Sequence, residues 1–409
     1  MKADRYFALV EQALISGGNF LLYLYAARSL SKEAWGELSL ALGLVLVIQG
    51  FQRAFVTIPM VTSGGLASFA ASLAFWKRIQ LLVSVVLFVL LALAYAVSLM
   101  FFEPWLQRAL AYACCLLIPV FYLEFARRLT VMSSAMRRLV RMAIAYVVTM
   151  AFVVLAAFFL QRTGSVWVFV GVMCIAPLAS IAAGGIHRSS GTSALTEGAW
   201  SKKSLWDFGK WAAASSLAYT GYNFAIQGIL AAISGPVAVG VFAAARNLTQ
   251  PVSTLIQAID TVDKPRAGRA FAEKGIGGLW SVIRKSWAWM LILAVPYLAA
   301  IFLFAEEILT FLYGAKYQDA TQAVQLWCLV ALAMIFAQPL ETGLYVVRRP
   351  DWLFYGRVLT AIAVLAFTPW LIQGWSLTGA LVALFCGWFL AGICAAFQLR
   401  KYRPNEALK

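Results

Sequence analysis

A chain of 409 residues that is 63% hydrophobic and only 12% charged cannot cover a water-facing surface, since a soluble domain carries roughly 25% charged residues. That excludes soluble enzymes, nucleic-acid-binding modules and secreted disulfide scaffolds, and it makes lipid the solvent for most of the chain. The net charge of +16 then belongs to loops held beside anionic lipid on the cytoplasmic side, not to a nucleic-acid partner.

A membrane-spanning helix needs about 20 mostly apolar residues. In chain order the sequence predicts twelve, at 7–30, 33–57, 79–102, 107–125, 143–161, 164–187, 205–233, 236–260, 285–304, 322–346, 354–373 and 377–399. The first follows Lys2 and Arg5 and carries Glu11; it is long enough to span, so it is read as a retained helix and not a cleaved leader. Trp35, Trp105, Trp167, Trp206, Trp352 and Trp375 fall near predicted ends, as an interfacial belt requires.

Loop charge alternates sharply. One side receives Arg53, Lys77 and Arg78, then Arg127, Arg128, Arg137, Arg138 and Arg141, then Arg188, Lys202, Lys203 and Lys210. It continues with Lys264, Arg266, Arg269, Lys274, Arg284 and Lys285, then Arg348, Arg349 and Arg357, and ends with the basic tail. The other side has only Lys32, Arg108, Arg162 and Lys316. The excess of Lys and Arg places both termini in the cytoplasm, and an odd number of spans would mix the two sets.

The linker 188–204, rich in Ser, Thr and Gly, falls at mid-chain and divides the spans six and six. At an offset of 204 residues, Gly17, Asn19, Phe20, Ala27, Ala34 and Gly36 recur as Gly221, Asn223, Phe224, Ala231, Ala238 and Gly240. Halves with an even number of spans share one orientation. The expected fold is therefore all-α: a polytopic membrane protein of twelve transmembrane helices in two six-helix bundles, related by a pseudo-two-fold axis along the membrane normal. The bundles are assigned to 1–187 and 205–399, with a tail at 400–409. Parallel repeats of this kind are a transporter architecture.

Polar residues within the spans mark what the bundles hold, because a charge at the bilayer centre costs about 2.5–3.5 kcal/mol on insertion scales. In span 236–260, Arg246, Gln250, Ser253, Gln257 and Asp260 recur every three or four residues. Arg246 is ten residues from the outer end, about 15 Å deep at 1.5 Å per residue. Span 7–30 carries Gln12, Ser16, Asn19 and Tyr23 at helical spacing, matched by Ser216, Thr220, Asn223 and Gln227 under the offset. Gln49 and Arg53 of the second span meet Ser253 and Gln257. These four helices are expected to line a central hydrated cavity, cationic in balance through Arg28, Arg53 and Arg246. Guanidinium forks bind phosphate oxygens bidentately and keep their charge. Arg28 and Arg53 lie near span ends, where snorkelling is the alternative, and the Ser and Asn residues also suit helix packing.

Glu11, Asp260 and Glu341 are the candidate ion-coupling carboxylates, with pairing to nearby Arg or Lys as the alternative for each. Asp260 and Asp263 lie beside Lys264 and Arg266, and Glu124 precedes Arg127 and Arg128. The six cysteines, Cys114, Cys115, Cys174, Cys328, Cys386 and Cys394, lie in apolar runs without a Cys-x-x-Cys pair, and the single His187 cannot build a histidine metal site. No Gly-x-x-x-x-Gly-Lys-Ser/Thr loop occurs, so ATP hydrolysis on this chain is not the motive force. A membrane glycosyltransferase or polymerase needs catalytic carboxylates in a large external loop. The longest external loop, 305–321, offers only Glu306, Glu307 and Asp319, so no catalytic residue, metal or cofactor is assigned.

The stretch Ala27-Arg28-Ser29-Leu30, running to Trp35-Gly36, resembles the Ala-Arg-x-Leu-Gly-x-x-x-Phe-Gly signature of polysaccharide transporters in the multidrug/oligosaccharidyl-lipid/polysaccharide exporter superfamily. Here Ser31 stands for the Gly and Trp35 for the Phe. Ala245-Arg246-Asn247-Leu248-Thr249-Gln250-Pro251, continuing to Pro265-Arg266, resembles that family's eighth helix and its cytoplasmic exit. The resemblance implies a Wzx-type flippase of the bacterial inner membrane that moves polyprenyl-pyrophosphate-linked oligosaccharide to the outer leaflet. A proton or sodium gradient would drive it, or consumption of product by the polymerase and glycosyltransferases of its pathway. Lipid II flippases of the superfamily place arginines of the first, second and eighth helices in the cavity, the helices that carry Arg28, Arg53 and Arg246 here. The alternative within the superfamily is a multidrug/cation antiporter, which needs an acidic, aromatic lining.

Overall fold

A computed structural model describes residues 2–62, 66–133, 135–185, 206, 209–210, 213–214, 217–347 and 349–401. The linker 188–204 with Lys202 and Lys203, His187, Arg188, Ser216, Arg348 and the end of the tail lie outside the described residues. Among the described residues there is no strand, and each of the twelve apolar segments carries a helix. The protein is an all-helical, multi-pass membrane protein. Leu82, Phe152, Leu293 and Phe367 are exposed along its helices, suited to lipid.

The first six helices are α1 (Lys2–Ser29), α2 (32–62), α3 (Leu66–Phe101), α4 (Pro104–Met132), α5 (Met136–Phe159) and α6 (Val166–Gly184). The stretch from Tyr222 to Leu303 is continuous in hydrogen bonding but has non-helical backbone at Gly235 (φ 79°) and Gly275 (φ 59°). It is therefore three helices: α7 (217–234, opening with a π turn), α8 (236–274) and α9 (276–303). A short helix, Ala305–Tyr313, and a 3-10 turn, Ala315–Ala320, lead into α10 (Thr321–Val346). A break at Ser376 (φ 48°) separates α11 (350–375) from α12 (377–401). Positive φ is where glycine costs least, which explains two of the three breaks.

Two of these boundaries share a register. Ser31 caps α2 by accepting a hydrogen bond from the Ala34 amide at 3.1 Å, and α2 begins at Lys32. Shifted by 204 residues, those positions are Gly235 and Pro236, the break and the start of α8. Proline is at home in a first helical turn because its missing N–H would have had no partner there.

The chain divides into two compact units, residues 1–224 and 225–409. The first takes in residues that the sequence reading grouped with the second half: Trp206 stacks on Phe55 at 5.8 Å, and Gly209 lies so close to the Phe55 ring that a Cβ would come within 2.3 Å. In the first unit α4 is the central helix, packed against α2, α3 and α6, while α1 packs on α5 and α5 on α6. In the second unit α10 has that role. Trp327 of α10 meets Phe242 of α8 edge-on, Phe336 stacks on Trp287 of α9, and Gly343 lies against Leu399 of α12 and Ile283 of α9. Each is the fourth long helix of its set of six.

α2 changes winding at Arg53–Thr57, which form a π turn closed by the Ile58 amide to the Arg53 carbonyl. Pro59 has no N–H to give the carbonyl four residues back, and a wider turn upstream absorbs that loss. The segment is clamped by a core of Val56, Met60, Trp76, Phe125 and Leu129. Trp76 is fully buried there. Trp76→Ala is expected to destabilise the protein by about 3 kcal/mol, read as a fall in thermal unfolding temperature in detergent.

Candidate functional site

Two polar regions stand out, one in each unit. In the first, Gln49 is buried on α2, and Arg53 Nη2 donates to Gln49 Oε1 at 3.0 Å. Arg53 Nε is 3.9 Å from Glu124 Oε1 of α4. The same oxygen accepts from Arg128 Nε at 2.9 Å, and Arg127 Nη1 is 3.6 Å from Glu124 Oε2. Arg127 Nε also donates to Glu11 of α1 at 2.5 Å, and its Nη2 to Gln12 at 3.3 Å. Both carboxylates are buried, whereas the Arg53 and Arg128 side chains are 47% and 49% exposed. The cluster therefore has an acidic floor and an open basic rim.

Beneath it lies a fully buried amide network that the sequence reading missed. Gln52 Nε2 donates to the Phe121 carbonyl of α4 at 2.7 Å and to Gln80 of α3 at 3.0 Å. Gln80 in turn donates to Ser84 at 2.9 Å. The available signal was the Gln80/Ser84 spacing inside an apolar run. These bonds fix the register of α2 on α4 and so place Arg53 against Glu124.

The α1 stripe divides. Gln12 is exposed and donates to Ser16 at 2.9 Å. Asn19 accepts from the Tyr146 hydroxyl of α5 at 2.8 Å, so it ties helices together. The Tyr23 ring is tilted 6.0 Å from Trp35. Arg28 is exposed in the last turn of α1.

Asn223 of α7, two residues before the second unit begins, is half-buried, and in the second unit Gln227 is buried with an Oε1 that has no hydrogen-bond partner among the described residues. Along α8, Gln250 and Gln257 are exposed, and Arg246 and Ser253 are half-buried. The rest of α8 is committed to protein. Asn247 donates to the Tyr313 hydroxyl at 3.3 Å, Tyr297 donates to the Leu248 carbonyl at 2.7 Å, and Phe242 and Val252 are buried. Packing therefore turns the Arg246–Gln250–Gln257 stripe away from the unit's own core.

Each candidate coupling carboxylate has a basic partner. Glu11 is paired with Arg127. Asp260 pairs with Lys264 at 2.5 Å and accepts from Thr342 of α10. Glu341 of α10 is gripped by both arms of Arg357 of α11, one at 3.0 Å. Asp260, Asp263, Ser286 and Thr342 line a small pocket of about 10 Å³, room for about one water. On the opposite sequence-predicted side, Arg108 of α4 grips Glu33 and buried Glu37 of α2.

Residues 212–370 match the MatE family model, and among curated proteins none matches the chain. Solved structures match over nearly its whole length. A multidrug resistance MATE family transporter of the MOP superfamily, in an inward-facing conformation, is 15% identical, with 95% of this chain and 94% of that chain covered and a TM-score of 0.76. The lipid II flippase MurJ in an inward closed conformation is 10% identical, with 100% and 89% covered and a TM-score of 0.70. A MOP superfamily transporter from Pyrococcus furiosus, described as having a binding pocket of reverse polarity, is 14% identical, with 99% and 95% covered and a TM-score of 0.68. The chain thus has the fold of MOP superfamily transporters. The matched family and these neighbours are transporters, not enzymes.

Removing Arg127 strands Glu11 and leaves Glu124 short of one partner, both side chains being only 6% exposed. Arg127→Ala is expected to destabilise by about 3 kcal/mol. Adding Glu11→Gln to the same chain is expected to recover at least half of that, both measured by thermal unfolding in detergent.

Proposed function

We propose that the protein is a flippase for lipid-linked oligosaccharide. It would move a polyprenyl-pyrophosphate-linked sugar unit from the inner to the outer leaflet of the bacterial inner membrane, for surface polysaccharide synthesis. The observation that carries this reading is the open polar stripe of α8. Gln250 and Gln257 are exposed and Arg246 half-buried, at depths where contact with lipid costs a guanidinium about 2.5–3.5 kcal/mol. Such a face is stable only against water or a polar ligand, and a guanidinium there selects an anion.

In this reading Arg246 and Arg53 bind the pyrophosphate, and Arg28 serves its release. Gln250, Gln257, Gln49, Asn223 and Gln227 contact sugar hydroxyls, with Tyr23 beside them, while Asn19 holds α1 to α5. Amides suit this role because each offers both donors and an acceptor. The lipid tail stays in the bilayer. A proton or sodium gradient acting on Glu11, Asp260 or Glu341 would drive the cycle through the ion pairs these groups make. Both termini are cytoplasmic, and the pathway's glycosyltransferases and polymerase supply and consume the cargo.

The MatE match and the multidrug neighbours favour a second reading, export of cationic drugs. That activity calls for acidic groups able to face the cargo. The three candidate carboxylates here are each held by a basic side chain, which supports the anionic cargo. In proteoliposomes carrying a fluorescent lipid-linked oligosaccharide, Arg246→Ala is expected to slow flipping at least about tenfold, a barrier increase of about 1.4 kcal/mol. Unchanged flipping in the variant would overturn the role of Arg246, and wild-type export of cationic dyes without lipid flipping would reject the flippase in favour of the antiporter.

A further inference from the structure

The basic rim in the first unit does more than place one arginine. Arg53 and Arg128 come from different helices yet reach the same oxygen, Glu124 Oε1. Their Nε atoms are 3.9 Å and 2.9 Å from it, so the two forks lie no more than about 7 Å apart. Arg127 closes the third side of the carboxylate. Counting Glu11, three guanidiniums face two carboxylates, and one positive charge is left over for a ligand. The Arg53 contact, at 3.9 Å, is beyond hydrogen-bond distance; exchanging it for a phosphate oxygen gives up little.

The spacing is built in. The π turn forced by Pro59 opens at Arg53. The neighbouring Gln52 bonds the carbonyl of Phe121, one helical turn before Glu124 on α4. Trp76, Val56 and Phe125 clamp the segment from behind. Both forks are half exposed above a buried carboxylate, so they are held in position before any ligand arrives, and preorganisation of this kind raises affinity by removing the cost of ordering.

A single phosphate can engage one fork bidentately. A diphosphate has enough outer oxygens, set far enough apart, to engage two. We propose that Arg128 joins Arg53 in a two-forked cradle that distinguishes a diphosphate-linked lipid from a monophosphate-linked one, with Glu124 holding the forks in place until the anion arrives. Arg128 was not among the sequence-predicted site residues. The inference rests on the flippase reading and adds the basis of head-group selection: a sugar-loaded carrier carries the diphosphate, and a carrier stripped to its monophosphate is refused.

The test uses the full-length protein in nanodiscs and calorimetric binding of farnesyl diphosphate, farnesyl monophosphate, farnesol and inorganic pyrophosphate. Wild type is expected to bind farnesyl diphosphate at least about tenfold more tightly than the monophosphate, and Arg128→Ala to reduce that preference to about twofold or less while leaving monophosphate binding nearly unchanged. Arg128→Lys keeps the charge and the Glu124 pair but loses the fork, so about a threefold loss of preference is expected. It decides the matter if the alanine variant does not fold. An unchanged preference in the folded variants overturns the cradle and leaves the flippase reading standing. Wild type that binds farnesyl diphosphate no better than farnesol overturns both. Inorganic pyrophosphate binding as tightly as farnesyl diphosphate overturns the lipid head group as the ligand, in favour of a soluble diphosphate.

Discussion

A polar side chain at membrane depth must face protein or water, because lipid offers it nothing. That constraint organises the whole molecule. Several polar groups of the spans are turned inward and used: Gln52 bridges three helices, Asn247 meets Tyr313, and Asn19 meets Tyr146. The stripe of α8 differs: Gln250 and Gln257 stay exposed while the opposite face of the same helix is buried against α9 and α10. The functional reading grows from that contrast within a single helix.

Charge pairing sharpens it. Buried carboxylates are costly unless paired, and Glu11, Glu124, Asp260 and Glu341 each lie against Arg or Lys. Their negative charge is already used in holding helices together: α1 to α4 through Arg127, and α10 to α11 through Arg357. What faces outward from the first-unit cluster is guanidinium. These four carboxylates are committed to protein, whereas the first-unit cluster presents forks suited to phosphate.

Much of the fold was legible because apolar length is a strong signal: each of the twelve predicted segments carries a helix. The break between α7 and α8 was legible through Gly235-Pro236, and it falls where the repeat offset puts the start of α2. The site was legible in part. Arg53, Gln49 and the α8 stripe announced themselves by helical spacing, and Glu124 by its basic neighbours. Arg128 did not stand out, because a basic residue at a cytoplasmic helix end is what the charge rule expects of any membrane protein. Its partnership with Arg53 depends on the π turn at Pro59 and on Gln52 reaching Phe121. Those are packing events between residues far apart in sequence, and no local periodicity encodes them. Asn19 is the converse case: its spacing fitted a lining role, and its carbonyl is engaged by Tyr146 instead.

The central claim is that the α8 stripe faces water. With the six native cysteines replaced by alanine or serine, single cysteines at Gln250 and Gln257 can be challenged in native membranes with a charged, membrane-impermeant thiol reagent. The account predicts rapid labelling at both positions, and slow labelling at a control cysteine placed at exposed, apolar Leu293 of α9. Labelling at Gln250 and Gln257 only by a lipid-soluble reagent, at the rate seen for Leu293, would contradict it.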